Sequence, residues 1–152
     1  MDEAGVGMKI IIETPEKDAE DKIIISMHKL NENVLKLITA LKMQQDTLIG
    51  YKEEQMYRIH PDEVYYFETV DNKSYMYCRE SVYEIKQKLY QIEEIYGVSD
   101  FLRISKSVII NMDKISSIRP AFGGRFEAML ENGEKIIISR QYVPELKKKM
   151  NV

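Results

Sequence analysis

Apolar residues along this chain come in short bursts, and their spacing changes character near residue 46. Met8–Glu13 and Lys22–Met27 have the composition of brief strands, separated by the charged connector Thr14–Asp21. Leu30, Val34, Leu37, Ile38 and Leu41 then recur at helical spacing, with Asn31 placed to cap the helix. The pattern predicts a small β-β-α appendage over residues 1–45, with a seam at Gln44-Gln45-Asp46 and a main domain over 46–152. Beyond the seam the texture is β-rich. Leu48–Lys52 and Gln55–Ile59 predict a hairpin around Glu53-Glu54. His60-Pro61-Asp62-Glu63 punctuates the chain, because proline lacks a ladder donor. Val64–Val70 and Ser74–Arg79 predict two strands around the turn Asp71-Asn72-Lys73. Ser81-Val82-Tyr83-Glu84 has the form of a capping box, followed by the apolar stripe Val82, Ile85, Leu89 and Ile92, with Gly97 as a left-handed stop. Strands are expected at Ser107–Ile110, Lys114–Arg119, Phe126–Leu130 and Lys135–Ser139. Asn132-Gly133 joins the last two, and Gly123-Gly124 marks another hairpin tip. A short helix over Gln141–Met150 closes the chain, with Pro144 in its first turn.

Composition narrows the function classes. With 44% hydrophobic and 31% charged residues, the 152-residue chain has the balance of a folded domain. Aliphatic runs stop at three residues, far short of the roughly twenty that a membrane span needs. Met1–Gly5 lacks the basic flank and apolar stretch of a secretory signal, so a cytoplasmic protein without membrane insertion is expected. A single cysteine, Cys78, excludes an internal disulfide and a Cys-based zinc cluster, and His28 and His60 stand apart. No Gly-rich phosphate loop and no Gly-x-Ser-x-Gly elbow is present. The sequence predicts neither catalysis nor a cofactor.

Charge is unevenly spread. Residues 100–152 hold ten Lys/Arg against six Asp/Glu, a net of +4, whereas residues 1–99 hold twelve against nineteen, a net of −7; together these give the overall −3. An anion-binding face on an acidic body has this signature. Within the basic stretch, Arg103, Ser105, Lys106 and Ser107 set four polar donors immediately before an apolar strand, and Ser139-Arg140-Gln141 forms a second cluster at a helix entrance. Such groups hold phosphates, and arginine can also fork onto a guanine edge. The ten tyrosines, among them Tyr65, Tyr66, Tyr75 and Tyr77, could stack on unpaired bases. Alternation in a strand favours a packing role instead, with Tyr65 and Phe67 on one face and Tyr66 on the other.

The segment Glu63-Val-Tyr-Tyr-Phe-Glu68, the run Phe101-x-Arg-x-Ser-Lys-Ser-x-x-x-Asn111, Ile115, Ile118, Asn132-Gly133 and Ser139-Arg140-x-Tyr142 resemble the LytTR (LytR/AlgR-type) DNA-binding domain. Order and spacing agree over roughly Leu48–Met150. The resemblance implies a mainly β (α+β), elongated domain of bacterial transcription regulators, with a few short helices and no helix-turn-helix. Loops would enter successive major grooves of double-stranded DNA at repeated half-sites. It implies base contacts from Lys73, Ser74, Lys106 and Arg140. Arg103, Ser105, Ser107 and Gln141 would contact phosphates, while Phe101, Asn111, Ile115 and Tyr142 hold the fold. The 45 preceding residues are too short for a receiver domain. Few phosphate contacts per copy predict weak, salt-sensitive binding, so a homodimer or side-by-side copies on DNA are expected, with the appendage as dimerisation or regulatory element. The alternative is a non-catalytic protein-interaction or ligand-sensing module on the same scaffold.

Overall fold

A computed structural model describes residues 8–45, 47–97 and 99–152. Met1–Gly5 and Asp46 of the expected seam lie outside the described residues. The chain divides into two compact units, one ending at Leu30 and the other spanning Asn31–Val152. The division therefore falls before the predicted helix, α1 (Glu32–Gln45), which belongs with the larger unit. Asn31 Oδ1 accepts the Val34 amide at 2.9 Å as a cap should, and Val34 itself is buried. In the N-terminal unit the two expected strands carry no ladder among the described residues, so the β-β part of the appendage is corrected to two unpaired arms. Isoleucine-rich composition sets extended backbone without supplying a partner strand.

Among the described residues of the larger unit, ten strands form two antiparallel sheets. The strands are β1 (Leu48–Lys52), β2 (Gln55–Ile59), β3 (Tyr66–Val70), β4 (Lys73–Tyr77), β5 (Val82–Ile85), β6 (Phe101–Arg103), β7 (Val108–Asn111), β8 (Ile115–Pro120), β9 (Phe126–Leu130) and β10 (Lys135–Ile138). Seven run in the order β2-β1-β5-β4-β3-β7-β6, and three in the order β10-β9-β8. Both early hairpins turn on two residues of positive φ, Glu53-Glu54 and Asp71-Asn72, whose left-handed twist suits a two-residue loop. Glutamate is a poor αL former, so loop length rather than residue type dictates the first of these turns.

The capping-box helix is displaced. Val82–Ile85 pairs with β4, from Tyr77↔Val82 to Ser74↔Ile85, and the helix, α2, begins only at Leu89 and ends at Tyr96. Ser81 uses its carbonyl to accept the Cys78 amide at 2.8 Å, closing the turn between β4 and β5. Lys88 N–H donates instead to Gln91 Oε1 at 2.8 Å at the true helix start. Of the predicted stripe, Ile85 from β5 and Leu89 and Ile92 from α2 share one core, whereas Val82 is exposed. Gly97 ends α2 in a right-handed conformation (φ −64°), so it is not a left-handed stop.

Around β3, β4, β6 and β7 both faces of the seven-stranded sheet are covered. Phe67, Met76, Ile109 and Phe101 pack with Leu89, Ile92 and Tyr96 of α2 on one side. Tyr66, Leu102 and Ile110 pack on the other with Ala128, Leu130 and Ile138 of the three-stranded sheet, and with Val143 and Leu146 of α3 (Val143–Met150). Tyr65 precedes β3 and joins the second core beside Tyr66, not the face of Phe67. Asn111 is buried between the layers; its Nδ2 donates to the Val64 carbonyl at 2.9 Å and its Oδ1 accepts the Asp113 amide at 3.1 Å.

Candidate nucleic-acid interface

The sheet order brings three loops to one edge. The β3–β4 turn (residues 71–72) carries Lys73, exposed at the start of β4. The loop between β6 and β7 carries Ser105, Lys106 and Ser107. Past β10, Ser139 leads into a 3-10 turn over Arg140–Tyr142 that feeds α3. Two backbone hydrogen bonds stitch these together. Thr69 N–H donates to the Ser107 carbonyl at 2.9 Å, and Ser139 N–H donates to the Ile104 carbonyl at 2.9 Å. Ile104 and Ile138, both fully buried, anchor the last two loops in one core.

Each expected contact residue has a definite place in this frame. Lys73, Lys106, Arg140 and Gln141 are exposed. Ser74 is 4% exposed and is not available to a base; one residue along a strand exchanges the two faces, which is why its neighbour Lys73 points outward. Arg103 is engaged with its own loop. Its Nε donates to the Ser105 carbonyl at 2.9 Å, Nη2 to the Lys106 carbonyl at 2.5 Å, and Nη1 meets Glu93 Oε1 at 3.2 Å. Ser105 Oγ accepts the Ser107 amide at 3.2 Å and lies 3.5 Å from Ser107 Oγ. The guanidinium and the two hydroxyls thus fix the shape of a loop whose exposed tip is Lys106.

Arg103 thus braces the Lys106 loop, and this bracing has a measurable signature. Arg103→Ala is expected to weaken specific duplex binding about tenfold with the salt slope unchanged, whereas Lys106→Ala lowers the slope by about one. Titrations at several salt concentrations check this, and a slope lost with Arg103 would mean direct phosphate contact.

Sequence reasoning missed the neighbour of Arg140. The β8–β9 connection makes a 3-10 turn at Phe122–Gly124, with Gly123 and Gly124 at φ 77° and 78°. Gly124 lies so close to Arg140 that an added Cβ would stand 2.9 Å from Arg140 Cδ. Arg125 Nε donates to the Phe122 carbonyl at 2.9 Å, and Phe122 is 87% exposed. The signal was present as a glycine pair flanked by Phe and Arg, but only the fold brings it to Arg140.

The tyrosines are largely structural. Tyr66 is buried, stacks on Tyr77 at 4.3 Å and donates its hydroxyl to Glu134 Oε2 at 2.6 Å. Burial and the Glu68 hydroxyl bond push the Tyr77 phenol up to about 12. Tyr65 Oη accepts from Arg79 Nη1 at 3.1 Å. A base-stacking platform through Tyr66 and Tyr77 is therefore closed by their own packing. Burial pushes the Cys78 thiol up to about 11, with Glu63 adding to the shift, so it stays protonated near neutrality and is a poor nucleophile. Among the described residues, no group of three or more His, Cys, Asp or Glu is placed to hold a metal, and no helix is long and apolar enough to cross a membrane.

The LytTr DNA-binding domain family matches residues 54–151. The chain belongs to the LytTR family. Its fold is that of a solved LytTr DNA-binding domain from a putative methyl-accepting/DNA response regulator of Bacillus cereus, at TM-score 0.66 and 23% identity, covering 70% of this chain and 98% of that one. The chain is 29% identical over 100 residues to the sensory transduction protein LytT of Enterococcus faecalis, covering 66% of this chain and 41% of that protein. It thus spans about two fifths of that relative's length. It is also 26% identical over 147 residues to an uncharacterised HTH-type transcriptional regulator of Staphylococcus aureus, covering 95% of this chain and 99% of the relative. Despite that relative's designation, the three helices described in this LytTR chain are separated by blocks of strands, and no two are joined by a short turn. The mainly β architecture expected for the family is present, with its few short helices.

Proposed function

We propose that this chain is a non-catalytic, sequence-specific double-stranded DNA-binding transcription regulator of the bacterial cytoplasm. Its loops enter major grooves at repeated half-sites, and it binds as a homodimer or as side-by-side copies. One observation carries the proposal: Lys73, Lys106 and Arg140 stand exposed on three loops that backbone hydrogen bonds tie into one edge of a LytTR domain. Lys106 and Arg140 supply base contacts, with Lys73 at the flank, and Gln141 reaches the phosphates. Ser105, Ser107 and Arg103 hold the middle loop to shape. Phe122, exposed in the turn whose Gly124 lies against Arg140, offers an apolar surface to a sugar or a thymine methyl. The regulatory designations of the Enterococcus and Staphylococcus relatives support the role in transcription.

Fluorescence anisotropy against duplex DNA from the protein's own upstream region tests this, with a scrambled duplex of equal length as control. Preference for the native duplex, weakening steeply with salt, is the expected result. Equal weak binding to both, with no enrichment from a genomic duplex library, would favour a protein-interaction module instead. Binding of single strands in preference to duplex would point to the exposed ring surfaces rather than to the loop edge.

A further inference from the structure

The N-terminal unit presents apolar side chains and, among the described residues, no partner strand in the same chain. Ile10 is 85% exposed and Ile12 92% on the first arm, Ile23 66% and Ile24 72% on the second. The tip between the arms is closed by Ala19 N–H donating to the Glu16 carbonyl at 3.0 Å. Between the arms lies a cleft of about 760 Å³, lined by Ile11 and Glu13 on one side and Lys22, Ile24 and Ser26 on the other. Lining residues alternate along each arm, as in extended chain. Paired strands lie about 4.8 Å apart and leave no such space, so the arms are splayed.

Unpaired edges rich in β-branched residues recruit another strand. The sequence of the first arm specifies which one. Lys9-Ile10-Ile11-Ile12-Glu13, laid antiparallel on a second copy of itself about Ile11, sets Lys9 opposite Glu13 and Ile10 opposite Ile12, each twice, with Ile11 on the two-fold axis. The second arm lacks this complementarity, since Lys22 would meet Ser26. We propose that Met8–Glu13 of a second copy pairs edge to edge and antiparallel with its counterpart about Ile11, joining two chains. This deepens the pairing of copies proposed above by naming the surface that makes it.

Sedimentation equilibrium on the full chain without DNA tests the pairing. The wild type is expected to dimerise, and Lys9→Glu and Glu13→Lys should each weaken the dimer about tenfold, because two attractive cross-strand pairs become repulsive. The double variant K9E/E13K should recover wild-type association. In a Cys78→Ser background, Ile11→Cys should form a disulfide dimer under mild oxidation. Ile10→Cys should form one far more slowly, because its counterpart lies beyond the roughly 7 Å Cα limit for a bridge. A monomer at every concentration overturns the proposal, including one that floats with lipid vesicles and so assigns the arms to a membrane surface. A dimer indifferent to Lys9→Glu, or one not restored in the double variant, overturns it as well. With no DNA present, failure here is distinct from failure of duplex recognition, which the anisotropy titration judges separately.

Discussion

Arg140→Ala is expected to lower the preference for native over scrambled duplex by roughly 5- to 150-fold, corresponding to about 1–3 kcal/mol for a bidentate base contact. The side chain is exposed at the entrance to α3, and its aliphatic stem lies against Gly124. Truncation leaves both cores intact, so thermal stability should stay within about 0.5 kcal/mol of wild type. Binding to the scrambled duplex should fall only by the loss of one positive charge. Gly124→Ala supplies an independent check on the same contact. An alanine there would crowd Arg140 Cδ at 2.9 Å and strain a φ of 78°, displacing the arginine without deleting it. Reduced preference in both variants, at unchanged fold, would locate base reading at this turn. An unchanged preference in Arg140→Ala would remove it from the reading surface.

Phe67→Ala should be the most damaging single truncation in the domain, at about 3–5 kcal/mol. The ring is fully buried on interior strand β3, 5.6 Å from the Phe101 ring, within the core that α2 covers. Its removal leaves a cavity that strands fixed on both sides cannot collapse to fill. A domain of this size is stable by only about 5–15 kcal/mol, so the change takes a large share. Three residues along the same strand, Val70 is 43% exposed, and Val70→Ala should cost less than about 1 kcal/mol. Urea unfolding of both variants measures the contrast. A loss below about 1 kcal/mol for Phe67→Ala would mean that the two cores do not depend on this ring.

Much of this architecture was legible locally. Two-residue gaps at Glu53-Glu54 and Asp71-Asn72 revealed their hairpins because loop length leaves few geometries. The segment Ser81–Glu84 misled because a capping signature and a strand can share residues; Val82 and Tyr83 were decided by the β4 edge awaiting them, a non-local contact. Isoleucines 10–12 and 23–25 announce extended chain but not the strand they pair with. On the candidate interface, Lys106 and Arg140 are exposed, as charge and residue type alone lead one to expect. Ser74 could not be separated from Lys73 without the register, nor could Arg103 be recognised as a brace without the carbonyls of Ser105 and Lys106 around it.

Strands β3, β4, β6 and β7 form a wall shared by two cores, which governs how the sheet opens. Amides of β3, β4 and β7 lie between packed layers on both sides, so their exchange with deuterium requires opening of the whole domain. The β1–β2 hairpin sits at the sheet's end, joined to β5 through the pair Tyr51↔Glu84, and should release its protons through local fraying. The loops of the candidate interface hang from these doubly covered strands. Their shape before DNA arrives is thereby set by the most persistent region of the molecule.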